Sequence, residues 1–373
     1  MLADYSPVRI QARNSVVDAH RVDLVLIGAR GKVGSAFRRQ LGNRQPALLS
    51  EANLDLRLLA GFDRRGFAFD THGIVPESID EHMPERGADD VERLMSHVGR
   101  HGGVRTLVVD CTASDEIADF YPRLLLGGMG IVAANKRANA RSLSSYRDLQ
   151  HAARERGVPY RYETTVGSAI PLLGPLRDLR LRGERVISVQ GVLSGSLSYI
   201  LHRMHEGCLF SAAVAEARAL GYTEPDPMED LRAIDLSRKL LVLAREAGFA
   251  MELEDLVIEP FADLDIASDD LIPALQVADA GWKARIASAL EQGERWVVLA
   301  EASREGGRIN LRRVPAHSSF AQLEPGQNLI SIRTELQDRM PLCVSGPGAG
   351  VEITAAGVLS DVVAAAAHWT RQD

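Results

Sequence analysis

The stretch DLVLIGARGKVG, residues 23–34, decides the fold, because it joins a short apolar run to a glycine-rich turn and then to a helical pattern over 33–41. Small residues in such a turn let the backbone approach a pyrophosphate, and the next helix offers free N–H groups at its N-terminus. The spacing GxxGxxG is one residue longer than GxGxxG. A plain tight turn is the alternative, but the position between strand and helix favours nucleotide binding. The predicted cofactor-binding residues of this turn are Gly28, Ala29, Arg30, Gly31, Lys32, Val33 and Gly34.

Outward from this turn, apolar runs alternate with helical patterns through the first half of the chain. The runs at 56–62, 106–112 and 130–136 predict strands, and the patterns at 115–126 and 141–156 predict helices. Apolar strands separated by helices imply βαβ units and a parallel sheet. We therefore expect an α/β protein whose first part is a doubly wound, Rossmann-type dinucleotide-binding domain.

The pattern changes after about Glu163. Strand-like runs at 186–193, 296–302, 309–314 and 329–334 now occur with several helices between them. This arrangement predicts an α+β second domain, which we place at 163–344, after a first domain at 1–162. A last helix is predicted near 350–369, and its pattern alone does not say which domain it packs on.

Composition excludes several classes of function. The 373 residues carry 43 Lys and Arg against 50 Asp and Glu, a formal charge of −7 that gives no general attraction to nucleic acid or anionic lipid. The three cysteines of the chain lack the paired spacing of a zinc site or a disulfide framework, and so few cysteines fit a reducing compartment. The N-terminus lacks the apolar core of a secretory signal, and no stretch reads as a membrane span of about 20 apolar residues. We therefore expect a cytoplasmic protein that binds neither nucleic acid nor membrane.

Charged residues end the second predicted strand, where the adenine ribose of a dinucleotide would lie. Asp63 could accept hydrogen bonds from ribose hydroxyls and favour NAD, whereas Arg64 and Arg65 could pair with the extra phosphate of NADP. A solvated charged turn is the alternative. The sequence thus leaves the choice of cofactor open, with use of both and a modest NADP preference expected.

The segment GYTEPDPMEDLRAIDLSRKLLVLAR, residues 221–245, predicts a helix with Asp226 as N-cap and Pro227 in its first turn. Asp235 and Lys239 are four residues apart beside an apolar stripe, so they share one face. Periodicity alone favours an exposed ion pair. The alternative is a substrate-binding carboxylate beside a lysine that exchanges a proton with a substrate hydroxyl.

This segment resembles the signature of homoserine dehydrogenases, and most closely the dehydrogenase half of bifunctional aspartokinase–homoserine dehydrogenases. The resemblance extends from residue 22 to about 369 through VVDCTAS (108–114), AANKRAN (133–139), YETTVGSAIPLL (162–173), GVLSGSLSYI (191–200) and GPGAGVEITAAGVLSD (346–361). Because of this resemblance, we prefer the catalytic interpretation of Asp235 and Lys239 to that of an exposed ion pair. It implies reversible NAD(P)H-dependent reduction of L-aspartate 4-semialdehyde to L-homoserine, in threonine and methionine biosynthesis, by a homodimer or homotetramer. It also implies that 345–373 completes the first domain.

The resemblance implies a role for each matching residue. Lys239 would be the acid/base lysine, and Lys136 a second active-site lysine near nicotinamide and substrate. Glu224 and Asp235 would hold the substrate ammonium group. Further cofactor contacts would come from Thr112, Ser114 and Gly348.

A Na⁺ site is also implied on segment 163–170, to which Glu163, Val166, Ser168 and Ile170 would contribute mainly backbone carbonyl oxygens. The segment reads VGSAIP where relatives usually have VGAGLP. Two alternatives to the whole assignment stay open at this point. One is a related dehydrogenase of another amino-acid aldehyde or alcohol, and the other is a cofactor-binding homologue without catalysis.

Overall fold

The computed structural model describes residues 19–83, 90–223, 226–259 and 271–370. Over these residues the first half of the chain forms a six-stranded sheet in the order β3-β2-β1-β4-β5-β6. Its strands are β1 (His20–Ile27), β2 (Leu54–Asp63), β3 (Gly66–Phe69), β4 (Thr106–Asp110), β5 (Gly130–Ala133) and β6 (Tyr160–Arg161). All neighbouring strands are parallel except β3, which pairs antiparallel with β2. The predicted parallel, doubly wound sheet is confirmed, while the hairpin strand β3 was not predicted.

Six helices accompany this sheet within the described residues. They are α1 (Lys32–Ala52), α2 (Ile79–His82), α3 (Asp90–His101), α4 (Asp115–Asp119), α5 (Tyr121–Leu126) and α6 (Leu143–Arg156). The single helix predicted over 115–126 is wrong, since it is divided at Phe120. Pro122 lies at the start of α5, and because proline has no backbone N–H it cannot extend the hydrogen-bond ladder of α4.

The second half builds another six-stranded sheet, in the order β12-β11-β7-β9-β10-β8. The strands are β7 (Val186–Val192), β8 (Leu256–Ile258), β9 (Glu294–Ser303), β10 (Gly306–Pro315), β11 (Gln327–Thr334) and β12 (Leu342–Pro347). Its pairs are antiparallel apart from β8 with β10. The helices of this half are α7 (Leu173–Leu181), α8 (Gly195–His205), α9 (Phe210–Ala219), α10 (Pro227–Leu231), α11 (Ile234–Glu246) and α12 (Leu271–Glu291). The predicted α+β character is confirmed.

The helix predicted to run on from Asp226 is interrupted. Asp226 does cap it, because its carboxylate accepts the N–H of Met228 at 3.0 Å. However, Ala233 adopts a left-handed conformation with φ 58°, which ends α10 and lets α11 start at Ile234. This break places Asp235 in the first turn of a new helix.

The last helix, α13 (Val351–Thr370), returns to the first sheet and packs against α1, β4, β5 and β6. By length and composition alone, 351–369 could cross a membrane, with a mean hydropathy of 1.3, so the prediction that no stretch approaches such a span was wrong. The apolar composition has a packing cause, since Ala355, Val358, Val362 and Ala366 are fully buried in the core.

Candidate functional site

An open cleft of about 930 Å³ lies at the carboxyl ends of β1, β2 and β4. In a doubly wound sheet this edge is where dinucleotides bind. The cleft brings together seven of the predicted cofactor residues: Gly28, Arg30, Gly31, Arg64, Arg65, Thr112 and Ser114. Ala29 is fully buried behind the turn, while Lys32, Val33 and Gly34 form the first turn of α1 and are not part of the cleft lining.

Glycine is required at two positions of this turn. Gly28 has φ +82°, and a Cβ there would lie 3.0 Å from the methyl group of Thr112. A Cβ on Gly34 would lie 2.1 Å from the carbonyl oxygen of Gly28. The N-cap of α1, Gly31, supplies no side-chain hydrogen bond, and the first turn contains no acidic residue. The N–H groups at this helix end are therefore well placed to receive a phosphate.

Arg30, inside the lengthened turn, pairs with the acid at the end of β2. Its Nε and Nη2 donate to the two carboxylate oxygens of Asp63 at 2.5 and 2.7 Å. Asp63 also accepts the backbone N–H of Arg65 at 2.7 Å. Burial raises the pKa of Asp63, but these hydrogen bonds outweigh it and the pKa is lowered overall. The acid that could serve a ribose hydroxyl is thus already engaged by a cation.

A buried network joins the ends of β4 and β5. Asn135 donates from Nδ2 to Asp110 at 3.0 Å and to the carbonyl oxygen of Ser114 at 2.8 Å. Asp110 also accepts the hydroxyl of Tyr121 at 2.7 Å and the N–H of Thr112 at 2.8 Å. Burial raises the pKa of Asp110. The network fixes the loop that carries Thr112 and Ser114.

No role was predicted for Asp110 or Asn135 from the sequence. The signal was present, because Asp110 and Asn135 are polar residues that directly follow apolar runs of neighbouring parallel strands. Lys136 directly follows Asn135, so the same network fixes the position of the Lys136 backbone.

Two lysines from distant parts of the chain contact one carboxylate. Lys136 Nζ lies 2.5 Å from Asp235 Oδ1, and Lys239 Nζ lies 2.7 Å from Asp235 Oδ2. Lys239 also donates to the carbonyl oxygen of Leu193, just after β7, at 3.3 Å. Burial raises the pKa of Asp235, but the ammonium groups of Lys239 and Lys136 more than offset it and hold the pKa well below its usual range. The prediction that Asp235 and Lys239 share one face of a helix is confirmed, and the two side chains form an ion pair.

Two other predicted site residues do not add to this cluster in the part of the chain that the structure describes. Glu224 lies outside the described residues. Gly348 is not part of the cofactor cleft lining but is buried beside Asn328, whose amide oxygen would lie 2.2 Å from a Cβ at this position. Its N–H donates to the carbonyl oxygen of Gly326 at 2.9 Å.

The predicted cation segment is tightly packed. The carboxylate of Glu163 accepts the N–H groups of Leu172, Leu173 and Gly174 at 2.5, 2.5 and 2.8 Å, so it caps the start of α7. Val166 and Ile170 are buried, and Ser168 has φ 58°. In the part of the chain that the structure describes, no group of three or more His, Cys, Asp or Glu residues could hold a metal. A cation here would therefore depend on backbone oxygens.

The first sheet carries a glycine-rich turn of the dinucleotide-binding type. Helix α11, from the second half of the chain, brings Lys239 close to Lys136 of the first half. Together these features define a two-part dinucleotide-binding protein. A family model described as "Homoserine dehydrogenase, NAD binding domain" matches residues 30–163, and one described as "Homoserine dehydrogenase" matches residues 171–363. The chain belongs to the homoserine dehydrogenase family, as its motifs predicted.

Individual relatives agree with this assignment. The chain is 34% identical over 346 residues to a bifunctional aspartokinase/homoserine dehydrogenase 2 of Zea mays, covering 91% of this chain but 38% of that protein. It is 31% identical over 291 residues to a homoserine dehydrogenase of Schizosaccharomyces pombe, covering 74% of this chain and 77% of that one. A crystal structure of a Candida auris protein of unknown function has a TM-score of 0.84 and 29% identity, covering 93% and 98% of the two chains.

Proposed function

We propose that this chain catalyses the reversible NAD(P)H-dependent reduction of L-aspartate 4-semialdehyde to L-homoserine. The contact of Lys136, from the first half of the chain, with Asp235 and Lys239 of α11 carries the proposal. It supports a reaction centre where the cofactor-binding and substrate-binding parts meet. Family membership supports the substrate and the cofactor.

The residues of the cleft suit a dinucleotide. Positions 28 and 34 have no room for a side chain, and the start of α1 offers N–H groups to a pyrophosphate. Arg64 and Arg65 line the cleft and would face a 2′-phosphate, while Thr112 and Ser114 form the opposite wall. When bound, the nicotinamide supplies or accepts the hydride.

Lys239 is proposed as the proton-transfer group. Its Nζ would protonate the aldehyde oxygen during reduction and take the proton back from the hydroxyl during oxidation. Asp235 holds this ammonium in one place, because both carboxylate oxygens are engaged by lysines. Lys136 would add positive charge beside the developing alkoxide. Asp235, together with Glu224, is also proposed to bind the substrate ammonium.

The remaining assignments are proposals of the same kind. We place the cofactor domain at residues up to 162 together with the C-terminal segment, and the substrate domain between them; the chain leaves the second sheet after Pro347 and enters α13 at Val351. A Na⁺ ion on the carbonyl oxygens of 163–170, a homodimer or homotetramer, and a cytoplasmic location complete the proposal. The free cysteines Cys111, Cys208 and Cys343 suit a reducing compartment.

The test is turnover of homoserine by wild type, Lys239→Ala and Lys283→Ala with NAD and with NADP. Lys283 is an exposed lysine on α12 and serves as the matched control. Lys239→Ala should lower kcat by about 10²–10⁴-fold with unchanged cofactor affinity, because general acid–base catalysis supplies about that factor. Near-normal turnover by Lys239→Ala would contradict the role of Lys239. Faster turnover of a different amino-acid alcohol by wild type would contradict the substrate.

A further inference from the structure

A second cleft, of about 520 Å³, lies at the C-terminal end of α11, away from the end that carries Asp235 and Lys239, and we name it the arginine cleft. Helices α6 and α7, the last turn of α11 and the loop that follows it form its walls. Its charged lining residues are Arg147, Arg154, Arg177, Arg180, Arg245 and Glu246. None of its lining residues belongs to the cofactor cleft or has been given a functional role above.

The floor of the arginine cleft is a buried, hydrogen-bonded polar cluster. Glu246 is 2% exposed and accepts hydrogen bonds from the hydroxyls of Tyr146, at 2.8 Å, and Tyr162. Arg177 pairs with the other carboxylate oxygen of Glu246 at 2.8 Å and lies 4.6 Å above the ring of Tyr162. Its Nη2 is buried without a hydrogen-bond partner in the described structure. The negative charge of Glu246 is thus balanced by groups within the floor of the cleft.

Arg245 is also neutralised internally. Its side chain is completely buried, and it pairs with Glu252 at 2.9 Å. Its Nη1 donates to the carbonyl oxygens of Asn139 and Arg141 at 2.8 and 2.6 Å. Arg245 therefore holds the wall of the cleft together rather than offering a free charge.

Three arginines on the rim have no such partner. Arg147 and Arg154 lie seven residues apart on α6, and Arg180 lies opposite on α7. All three are exposed, and among the described residues no ion pair includes any of them. Arg180 is nevertheless held in place, because its Nη1 donates to the carbonyl oxygen of Glu246 at 3.0 Å. Positive charge is concentrated here in a protein whose overall charge is negative.

We propose that the arginine cleft binds a small organic phosphate. Guanidinium groups bind phosphate through paired hydrogen bonds, and arginine gives up its hydration more easily than lysine does. The volume lies in the range of small-molecule sites. Leu143, Leu181 and Phe249 supply an apolar wall for the organic part of the ligand. The bound phosphate would be held between α6 and α7 by Arg147, Arg154 and Arg180.

The test is calorimetric titration of pyrophosphate into the full chain, with and without saturating NADP⁺. The variants are Arg147→Gln/Arg154→Gln and, as control, Arg304→Gln, an exposed arginine in the β9–β10 turn that has no ion pair in the described structure. Saturating NADP⁺ removes any pyrophosphate site in the cofactor cleft. We expect the remaining binding to weaken at least about tenfold in the double variant, because two charge-assisted hydrogen bonds are lost, and to be unchanged in Arg304→Gln.

Several outcomes would overturn the proposal. Equal pyrophosphate affinity in the double variant and the control would do so, and so would tighter binding of malonate than of pyrophosphate, which would indicate a carboxylate ligand. Arg147→Lys/Arg154→Lys should bind with intermediate affinity, since it keeps the charge and loses the paired geometry. Arg147 and Arg154 are exposed, so circular dichroism should confirm an unchanged fold. If NADP⁺ does not bind at all, the proposed function fails, while the comparison of the variants still tests the arginine cleft.

Discussion

Replacing Asp235 by asparagine would remove the negative charge between Lys136 and Lys239 with almost no change of shape. In the native protein both ammonium groups touch this carboxylate, at 2.5 and 2.7 Å. The side chain of Lys239 is only 15% exposed, so solvent can replace little of the lost interaction. The Asp235→Asn variant therefore leaves the two ammonium groups close together without a carboxylate between them.

The size of the effect follows from Coulomb's law. At an effective dielectric constant of about 20, a carboxylate and an ammonium group about 4 Å apart attract each other by about 4 kcal/mol, and Asp235→Asn removes this attraction from both lysines. If Lys239 donates the proton in reduction, the loss of kcat/KM with rising pH should begin at lower pH in the variant, because the ammonium form has lost the carboxylate that stabilised it. The proposed contact with the substrate ammonium adds an increase in KM.

The assay is the pH dependence of semialdehyde reduction for wild type, Asp235→Asn and Asp55→Asn. Asp55 is the matched control, because its side chain is 33% exposed against 36% for Asp235, and it pairs with Arg21 at the opposite end of β2. The control should keep the wild-type profile. An Asp235→Asn profile that coincides with wild type, at unchanged KM, would refute the electrostatic coupling of this carboxylate to the lysines.

Stability supplies an independent readout for the same variant. The pKa of Asp235 is lowered in the folded protein, so its ion pairs stabilise the fold above the unfolded pKa near 4, and this contribution is lost as the pH falls further. The difference in the free energy of unfolding between wild type and Asp235→Asn should therefore be largest near neutral pH and shrink below about pH 4. Urea unfolding at several pH values measures it.

Two further predictions concern the cofactor cleft. Gly34→Ala should abolish tight cofactor binding and destabilise the fold by about 1–3 kcal/mol, since the new Cβ would lie 2.1 Å from a carbonyl oxygen. Gly99→Ala is the control for thermal unfolding. It has open space around its Cβ, so its effect on stability should be neutral or stabilising. Arg30→Ala should lower the ratio of kcat/KM for NADP to that for NAD, because Asp63 would lose its partner and repel the 2′-phosphate; a ratio equal to that of wild type would show that Arg30 does not mask Asp63.

Local patterns carried most of what could be predicted. The glycine turn and its flanking strand and helix were found because their spacing involves only neighbouring residues. The Asp235–Lys239 contact follows from four-residue spacing on a helix. In contrast, the pairing of Lys136 with Asp235 joins residues 99 positions apart, and no spacing rule reaches that far. The family resemblance gave both residues active-site roles, but it did not predict this contact.

The errors have local causes as well. Nothing in the sequence marks Ala233 as left-handed, because alanine is a strong helix former and the tertiary structure must impose this conformation. Arg30 lines the cofactor cleft, but its pairing with Asp63 was not predicted, because it depends on how the lengthened turn reaches the end of β2. The short strands β3 and β12 were missed although their residues alternate in burial, because GFAF and LCVSGP are short and contain glycine or proline, which weaken a strand pattern in the sequence.

The return of α13 to the first sheet has a consequence for how the protein is made. Strands β4, β5 and β6 and helix α1 leave the ribosome long before residues 351–370 do, yet α13 packs against all of them. The apolar surface that Val358 and Val362 cover in the folded protein therefore stays exposed while the entire second sheet is synthesised. Nascent chains in this state expose apolar surface, so the synthesis of α13, rather than the formation of the first sheet, determines when this surface is protected from aggregation.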